Sequence, residues 1–289
     1  MNRSSPVSGS PDHAPGYKGI RFNLDWITRP LFGGALAALA VAAVFGGAPF
    51  VAVLAVVVAV AGAREWHRLV GERVFGSAFF VTAATVAVAL AADVAWPHGW
   101  YGAAIIGVGA IAAAVVAATR RELPLWHGFG PLYLGIAAIS ILALRDAPHG
   151  AWVIVGLFLA VWASDTGALF TGNLVGGPRL WPALSPNKTW SGTIGGVATA
   201  AVVEAIFVAI LGGTPWQAGL YGAAVAIVAV LGDLFESWVK RVFQRKDSGH
   251  LIPGHGGVLD RIDSTLFAAP AVALAVIGLG LNTLFGAHP

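Results

Sequence analysis

Residues 205–232 read AIFVAILGGTPWQAGLYGAAVAIVAVLG, and residues 233–263 read DLFESWVKRVFQRKDSGHLIPGHGGVLDRID. The first stretch carries no charge; the second carries ten charged residues. A helix needs about 20 mostly apolar residues to cross the hydrocarbon of a bilayer. Residues 205–232 therefore read as membrane-embedded, interrupted at Gly212-Gly213-Thr214-Pro215 where one span ends and the next begins. The charged stretch reads as a connection at one membrane face. Working outward, further uncharged runs cover residues 31–63, 74–92, 94–119, 123–144, 147–164, 189–203 and 264–289.

The whole composition agrees. Of 289 residues, 57% are hydrophobic and only 11% charged, against about 25% charged in a typical soluble domain. That excludes a soluble enzyme, a disordered chain and a disulfide scaffold. With no cysteine, thiolate chemistry is excluded, and any metal must bind Asp, Glu, His or backbone oxygen. The 38 glycines suit close helix packing in lipid, and no internal repeat of the transporter kind is visible.

The fold class expected is an all-α polytopic membrane protein with nine spans, at about 31–46, 48–63, 78–96, 101–118, 129–144, 151–171, 191–211, 216–236 and 264–284. Gly46-Gly47-Ala48-Pro49 divides the first long run. Residues 1–30 read as a cytosolic tail and interfacial segment rather than a signal peptide. Residues 31–150 form an N-terminal helical part of about five spans. Residues 151–289 form a C-terminal catalytic part with polar cytosolic loops at 172–190 and 237–263. Nine crossings put 16 of the 17 Lys and Arg residues on one side, Arg145 alone falling outside. Because cytoplasmic loops collect Lys and Arg, the amino terminus is expected in the cytosol and the carboxyl terminus outside. Trp96, Trp100, Trp126, Trp181 and Trp190 lie near span ends and fit an interfacial belt.

The polar chemistry collects in the two loops. Asp233, Glu236 and Lys240 are spaced three and four apart, so they share one helix face. Asp260 and Asp263 open the ninth helix and flank Arg261. Ionised groups at a membrane boundary are costly without partners, and carboxylates from two helix ends suit a hard cation such as Mg²⁺, which completes its shell with water and substrate phosphates. Pro253-Gly254-His255-Gly256-Gly257 could present backbone N–H groups to an anion. Alternatively it is a plain turn in a solvated loop attracted to anionic headgroups. Ser185-Pro186-Asn187-Lys188-Thr189-Trp190 leads into the seventh helix, where hydroxyls, a Lys and free N–H groups make either an anion site or an ordinary cap. Asp165, in Asp165-Thr166-Gly167, needs a partner within the sixth helix; Asp93 and Glu204 are lone acids within spans.

Ser237-Trp-Val-Lys240-Arg241, Lys246-Asp247 four residues later, and Pro253-Gly-His255-Gly256-Gly257-Val-Leu-Asp260-Arg261-Ile-Asp263 resemble the signature of phosphatidate cytidylyltransferases, the CDP-diacylglycerol synthases. The match runs through all 27 positions of 237–263. Residues 185–190 and the Asp165-Thr-Gly-Ala stretch are similar to other segments of that family; Asn173 and Ser191 depart from it. The resemblance implies transfer of a cytidylyl group from CTP to phosphatidate, giving CDP-diacylglycerol and pyrophosphate, with Mg²⁺ required and a monovalent ion such as K⁺ as a second cation. It implies Asp233 and Asp260 as metal ligands, with Asp263 and Asp247 for a second ion or for orientation. Lys240, Arg241, Lys246 and Arg261 would meet triphosphate or lipid phosphate, and Ser185, Lys188 and Thr189 the nucleotide phosphates. Ser237, His255, Gly256, Gly257 and Asp165 complete the substrate-binding set. The expected setting is the bacterial cytoplasmic (inner) membrane, with membrane lipid around a homodimer and no nucleic acid. Two rivals remain: phosphoryl or nucleotidyl transfer to an isoprenoid lipid, and a transporter using Asp93 and Glu204.

Overall fold

The computed structural model describes residues 25–71, 75–97, 99–249, 251 and 256–281. The chain folds into antiparallel helices: α1 (Asp25–Gly46), α2 (Ala48–Val70), α3 (Ser77–Ala95), α4 (Tyr101–Thr119), α5 (Pro124–Asp146) and α6 (Gly150–Val175). A two-stranded antiparallel ribbon follows, β1 (Arg179–Trp181) and β2 (Ser185–Thr189), in which Arg179 faces Thr189 and Trp181 faces Ser185. Then come α7 (Trp190–Ile210), α8 (Pro215–Val242) and α9 (Leu259–Ala273), the last continuing as a π-helical turn, Leu274–Gly278. Proline opens α5 and α8 and stands second in α2, where a missing N–H costs nothing. Gly47, at φ 107°, makes the one-residue turn between α1 and α2.

Among the described residues, eight helices are long and apolar enough to cross a membrane: α2 to α8, and α9 with its π turn. The apolar part of α1, Gly33–Gly46, is shorter. The all-α polytopic architecture is therefore as expected, while helix ends differ from the expected spans. Helix α2 runs on to Val70, α6 to Val175 and α8 to Val242, and α5 and α9 start earlier, at Pro124 and Leu259. For α2 and α8 the reason is that charged residues in a last turn do not stop a helix; long Lys and Arg stems lie along it with the charge at the interface. Residues 172–175 belong to α6, and most of the rest of the 172–190 loop is ribbon.

Short connections make sequential neighbours antiparallel, and α6 packs on α7, α7 on α8, and α8 on α9. Helix α9 also packs against α5, α6 and α2, so helices of residues 31–150 and of 151–289 interlock around it. Glycine permits the tightest of these approaches. A Cβ on Gly196 would lie 2.5 Å from the Ser164 carbonyl, and one on Gly232 2.7 Å from the Asp263 carbonyl. An aromatic cluster of Trp66, Trp126, Phe129, Tyr133, Phe235, Trp238 and Phe267 ties α2, α5, α8 and α9 together. Trp126 is thus packed within the bundle, and its carbonyl accepts the Trp66 indole N–H at 2.9 Å. Trp96, Trp100, Trp181 and Trp190 are exposed, as a belt requires.

Asp93 and the outlying base Arg145 have local partners. Arg145 Nε donates to the Val44 carbonyl at 2.6 Å, satisfying the end of α1. Asp93 accepts the Gly102 N–H at 2.9 Å in the first turn of α4, so it is committed as a cap. Glu204 is fully buried against α8 beside Gly222. Because the α8–α9 contact sets the spacing of the polar residues below, Gly232→Ala is expected to overpack it. The cost should be about 1–3 kcal/mol, read as a lowered thermal unfolding midpoint in detergent; an unchanged midpoint would contradict the close approach.

Candidate functional site

The last two turns of α8, the first turns of α9, the middle of α6 and strand β2 meet at one end of the bundle. On α8, Asp233, Glu236 and Lys240 share a face, as the three- and four-residue spacing dictates. On α9, Asp260 and Asp263 do the same. Lys240 Nζ reaches across to Asp260 Oδ1 at 2.9 Å and lies 3.4 Å from Glu236 Oε1. Lys188, carried by β2, forms an ion pair with Asp233, whose other oxygen accepts the Ser237 hydroxyl at 3.3 Å. Asp263 accepts the N–H of Ser264 at 2.7 Å and interacts electrostatically with Asp233, Asp165 and Lys240. Asp165 in turn interacts with Lys188, Asp233 and Arg261, yet its side chain is exposed. It therefore lies at the open edge of the cluster rather than in the core.

Five carboxylates (Asp165, Asp233, Glu236, Asp260, Asp263) thus face three cations (Lys188, Lys240, Arg261). Among the described residues the carboxylates of this cluster outnumber its cations, and Glu236 is fully buried within it. An oxygen-rich set of this kind suits a hard divalent cation, which takes substrate phosphate oxygens and waters alongside one or two carboxylates. Among the described residues no three His, Asp or Glu side chains form a ready-made metal cage. Mg²⁺ does not require one, since it keeps waters and takes substrate oxygens alongside one or two carboxylates.

The remaining sequence-derived residues divide. Ser185 opens β2 and is half-buried. The Thr189 hydroxyl accepts the Gly192 N–H at 3.0 Å and is spent on capping α7. Ser191, one of the departures from the family pattern, donates to the Gly176 carbonyl and ties the end of α6 to the start of α7. Arg241 is exposed and spans from α8 to the Leu184 and Arg245 carbonyls, each at 3.4 Å. Lys246 is exposed, and Asp247 stands apart from the paired carboxylates, at a small recess with Arg68 and Arg245. The expected 237–263 loop is shorter, because residues 237–242 continue α8 and 259–263 open α9; between the two helices, Gly256 takes φ 85°, a conformation that favours glycine. The N–H of Gly257 points to Asp260 Oδ2 at 3.1 Å and that of Ser248 to Asp260 Oδ1 at 3.4 Å. The Gly257 amide, which the anion reading of residues 253–257 would aim at a ligand, faces the protein's own carboxylate. His255 lies outside the described residues.

Two buried features escaped the sequence reading. Glu65 of α2, fully buried, accepts the Leu259 N–H at 2.8 Å and the Ser248 hydroxyl at 3.4 Å. His67 stacks on His127 with their Nδ1 atoms 2.7 Å apart, and His67 Nε2 lies 2.8 Å from the Thr82 hydroxyl. The available signal was the run Arg64-Glu65-Trp66-His67-Arg68 at a span end, where Glu65 is an acid among bases.

The architecture defines a class: a polytopic α-helical membrane protein whose polar site is assembled from three spanning helices and a β-ribbon. Within that class, the chain belongs to the Cytidylyltransferase family, whose model matches residues 27–278. It is 50% identical over 152 residues to the phosphatidate cytidylyltransferase of Brucella suis biovar 1 (strain 1330), covering 52% of this chain and 56% of that protein. The phosphatidate cytidylyltransferase of Haemophilus influenzae (strain ATCC 51907 / DSM 11121 / KW20 / Rd) is 44% identical over 158 residues, 51% of this chain and 55% of that protein. That of Staphylococcus haemolyticus (strain JCSC1435) is 42% identical over 147 residues, 50% and 56% respectively. The chain thus spans little more than half the length of the curated relatives it matches.

The Lys240 ion pairs give a direct test. Lys240→Met strands Asp260 and Glu236 without their cation, which is expected to cost about 3–5 kcal/mol, as when one partner of a buried pair is lost. Arg241→Met, on the exposed face, should leave the unfolding midpoint nearly unchanged. Equal effects in a detergent unfolding series would contradict the pairing.

Proposed function

We propose that the chain transfers a cytidylyl group from CTP to phosphatidate, forming CDP-diacylglycerol and pyrophosphate. The observation that carries this reading is the carboxylate-rich, cation-poor cluster between α6, α8 and α9, set beside a lysine-bearing ribbon in a chain of the Cytidylyltransferase family. The names of its relatives support the same lipid substrate.

In this reading an anionic phosphate oxygen of phosphatidate attacks the α-phosphorus of CTP. A new P–O bond forms, the bond from the α-phosphorus to the bridging oxygen breaks, and pyrophosphate leaves with the electron pair. The nucleophile is already charged, so no protein base is required, and acceleration rests on positioning and electrostatics. Asp233, Asp260 and Asp263, with Asp165 across the cleft, would hold Mg²⁺, and Asp247 or a monovalent K⁺ site would be secondary. Bound there, Mg²⁺ supplies charge neutralisation for the nucleotide phosphates. Lys188 and Lys240, now paired with Asp233 and Asp260, exchange those partners for phosphate oxygens as the nucleotide enters. Arg241, Lys246 and Arg261 add positive charge at the rim; guanidinium forks suit phosphate oxygens in pairs. Ser185, Ser237, Gly256 and Gly257 border the same space.

Phosphatidate is held in the bilayer and CTP in the cytosol, so the reaction belongs at the cytosolic headgroup plane of the bacterial inner membrane. The clustering of Lys and Arg at the helix ends around the site supports that orientation. A homodimer is part of the same proposal and follows from the family resemblance.

Membranes carrying the chain, supplied with labelled CTP and either phosphatidate or a polyprenyl phosphate, should label phosphatidate product only. EDTA should abolish the reaction, and Asp233→Asn and Asp260→Asn should each lower the rate by about 10²–10³, the scale of losing a principal electrostatic group. Labelling of the polyprenyl lipid would favour the isoprenoid reading; retained activity in either variant would sink the mechanism.

A further inference from the structure

We infer that Glu65 on α2 is a positioning residue that holds Ser248, Gly257 and the first turn of α9, and through them Asp260. The inference rests on the proposed reaction for its functional consequence, while its geometric part stands on contacts alone. Helix α2 contributes nothing else to the polar cluster, and it lies 194 positions from Leu259 in the chain.

The carboxylate of Glu65 lies against Ser248, Gly257 and the first turn of α9. Its Oε2 accepts the N–H of Leu259, the first residue of α9, at 2.8 Å, and the Ser248 hydroxyl at 3.4 Å. A Cβ on Gly249 would fall 2.3 Å from Glu65 Oε1. One on Gly257 would fall 2.2 Å from the Ser248 hydroxyl, 2.7 Å from Glu65 Oε2 and 3.0 Å from Asp260 Oδ2. Glycine stands at both positions because the backbone passes directly over the carboxylate. A negative group at the first amide of a helix is favoured by the unsatisfied N–H groups and the helix dipole.

Stability alone does not account for this residue. A buried carboxylate is costly in a membrane helix, and this one also feels the negative charge of Asp260. What it does is specific: Ser248 bonds to both carboxylates, its N–H directed to Asp260 and its hydroxyl to Glu65, while the Gly257 N–H is directed to Asp260 and a side chain at Gly257 would collide with Glu65. Glu65 thereby sets where those amides lie, and the amides together with Lys240 set where the Asp260 carboxylate points. Asp260 is held at the site from two sides, by α8 through Lys240 and by α2 through Glu65.

The test uses the full chain in detergent with Glu65→Ala and Glu65→Gln, and three readouts. In Glu65→Ala, hydrogen exchange at Gly257 and Leu259 should accelerate while α3, α4 and α7 stay protected. Mn²⁺ affinity, read by electron paramagnetic resonance with CTP and no lipid, should fall roughly 10–100-fold, the usual range for losing a group that orients a metal ligand. KM for CTP should rise by more than kcat falls. Glu65→Gln, whose amide oxygen still accepts from Leu259, should restore the exchange protection and most of the Mn²⁺ affinity. Where the alanine variant does not purify, Glu65→Asp, with its carboxylate drawn back by one methylene, should show the same local exchange change. Wild-type exchange at Leu259 with wild-type Mn²⁺ affinity would overturn the inference, as would faster exchange spread evenly over all helices. A wild-type chain that binds Mn²⁺ but transfers nothing would count against the proposed reaction and leave Glu65 judged by exchange and Mn²⁺ binding.

Discussion

The interaction on which the rest depends is the compensation of the carboxylates gathered at the junction of α6, α8 and α9. Each acid there costs free energy in a membrane setting unless a cation or N–H meets it. Lys188 answers Asp233, Lys240 answers Asp260 and Glu236, and backbone amides of Ser248, Gly257 and Ser264 supply the remainder. These partners come from separate elements, so the ribbon, the residues Ser248 and Gly257 between α8 and α9, and three helices are held in register by the same charges. Compensation is incomplete, since five carboxylates meet three cations. In the proposed reaction these same carboxylates would exchange their present partners for a divalent cation and substrate phosphates.

The bundle serves that junction. Glycine contacts bring α6 onto α7 and α8 onto α9, fixing the separations over which side chains as short as aspartate must meet. The aromatic cluster behind Phe235 and Trp238 closes the apolar side of α8, so its polar face turns toward the cleft. At the opposite end of the helices the charged groups are spent locally, Arg145 on the Val44 carbonyl and Asp93 on the Gly102 amide. Asp93, one of the two acids a transporter reading would need, is thereby accounted for.

The spans were legible because hydrocarbon demands uncharged runs, and those runs stand out in a chain with 11% charge. Their ends were not, because Arg64, Arg68 and Lys240 sit inside final turns that continue as helix. Asp233, Glu236, Lys240, Asp260 and Asp263 were legible through helical spacing and through the 237–263 signature. Their partners were not. Lys188 and Asp233 belong to different elements, and Glu65 meets Leu259 across 194 positions; no local pattern encodes such pairs. The ribbon at 179–189 was hidden because Ser-Pro-Asn-Lys has little β-propensity. The glycine-rich 253–257 stretch suggested an open anion nest, but Gly257 is turned inward by Asp260, a choice made by tertiary electrostatics rather than by glycine content.

The measurement that bears most directly on the central claim is anomalous diffraction from crystals of the chain soaked with Mn²⁺ and CTP. A metal peak bonded to carboxylate oxygens of both α8 and α9, with nucleotide phosphate beside Lys188 and Lys240, is the result expected. A peak elsewhere in the molecule, with Lys188 and Lys240 still paired to Asp233 and Asp260 in the presence of bound nucleotide, would contradict it.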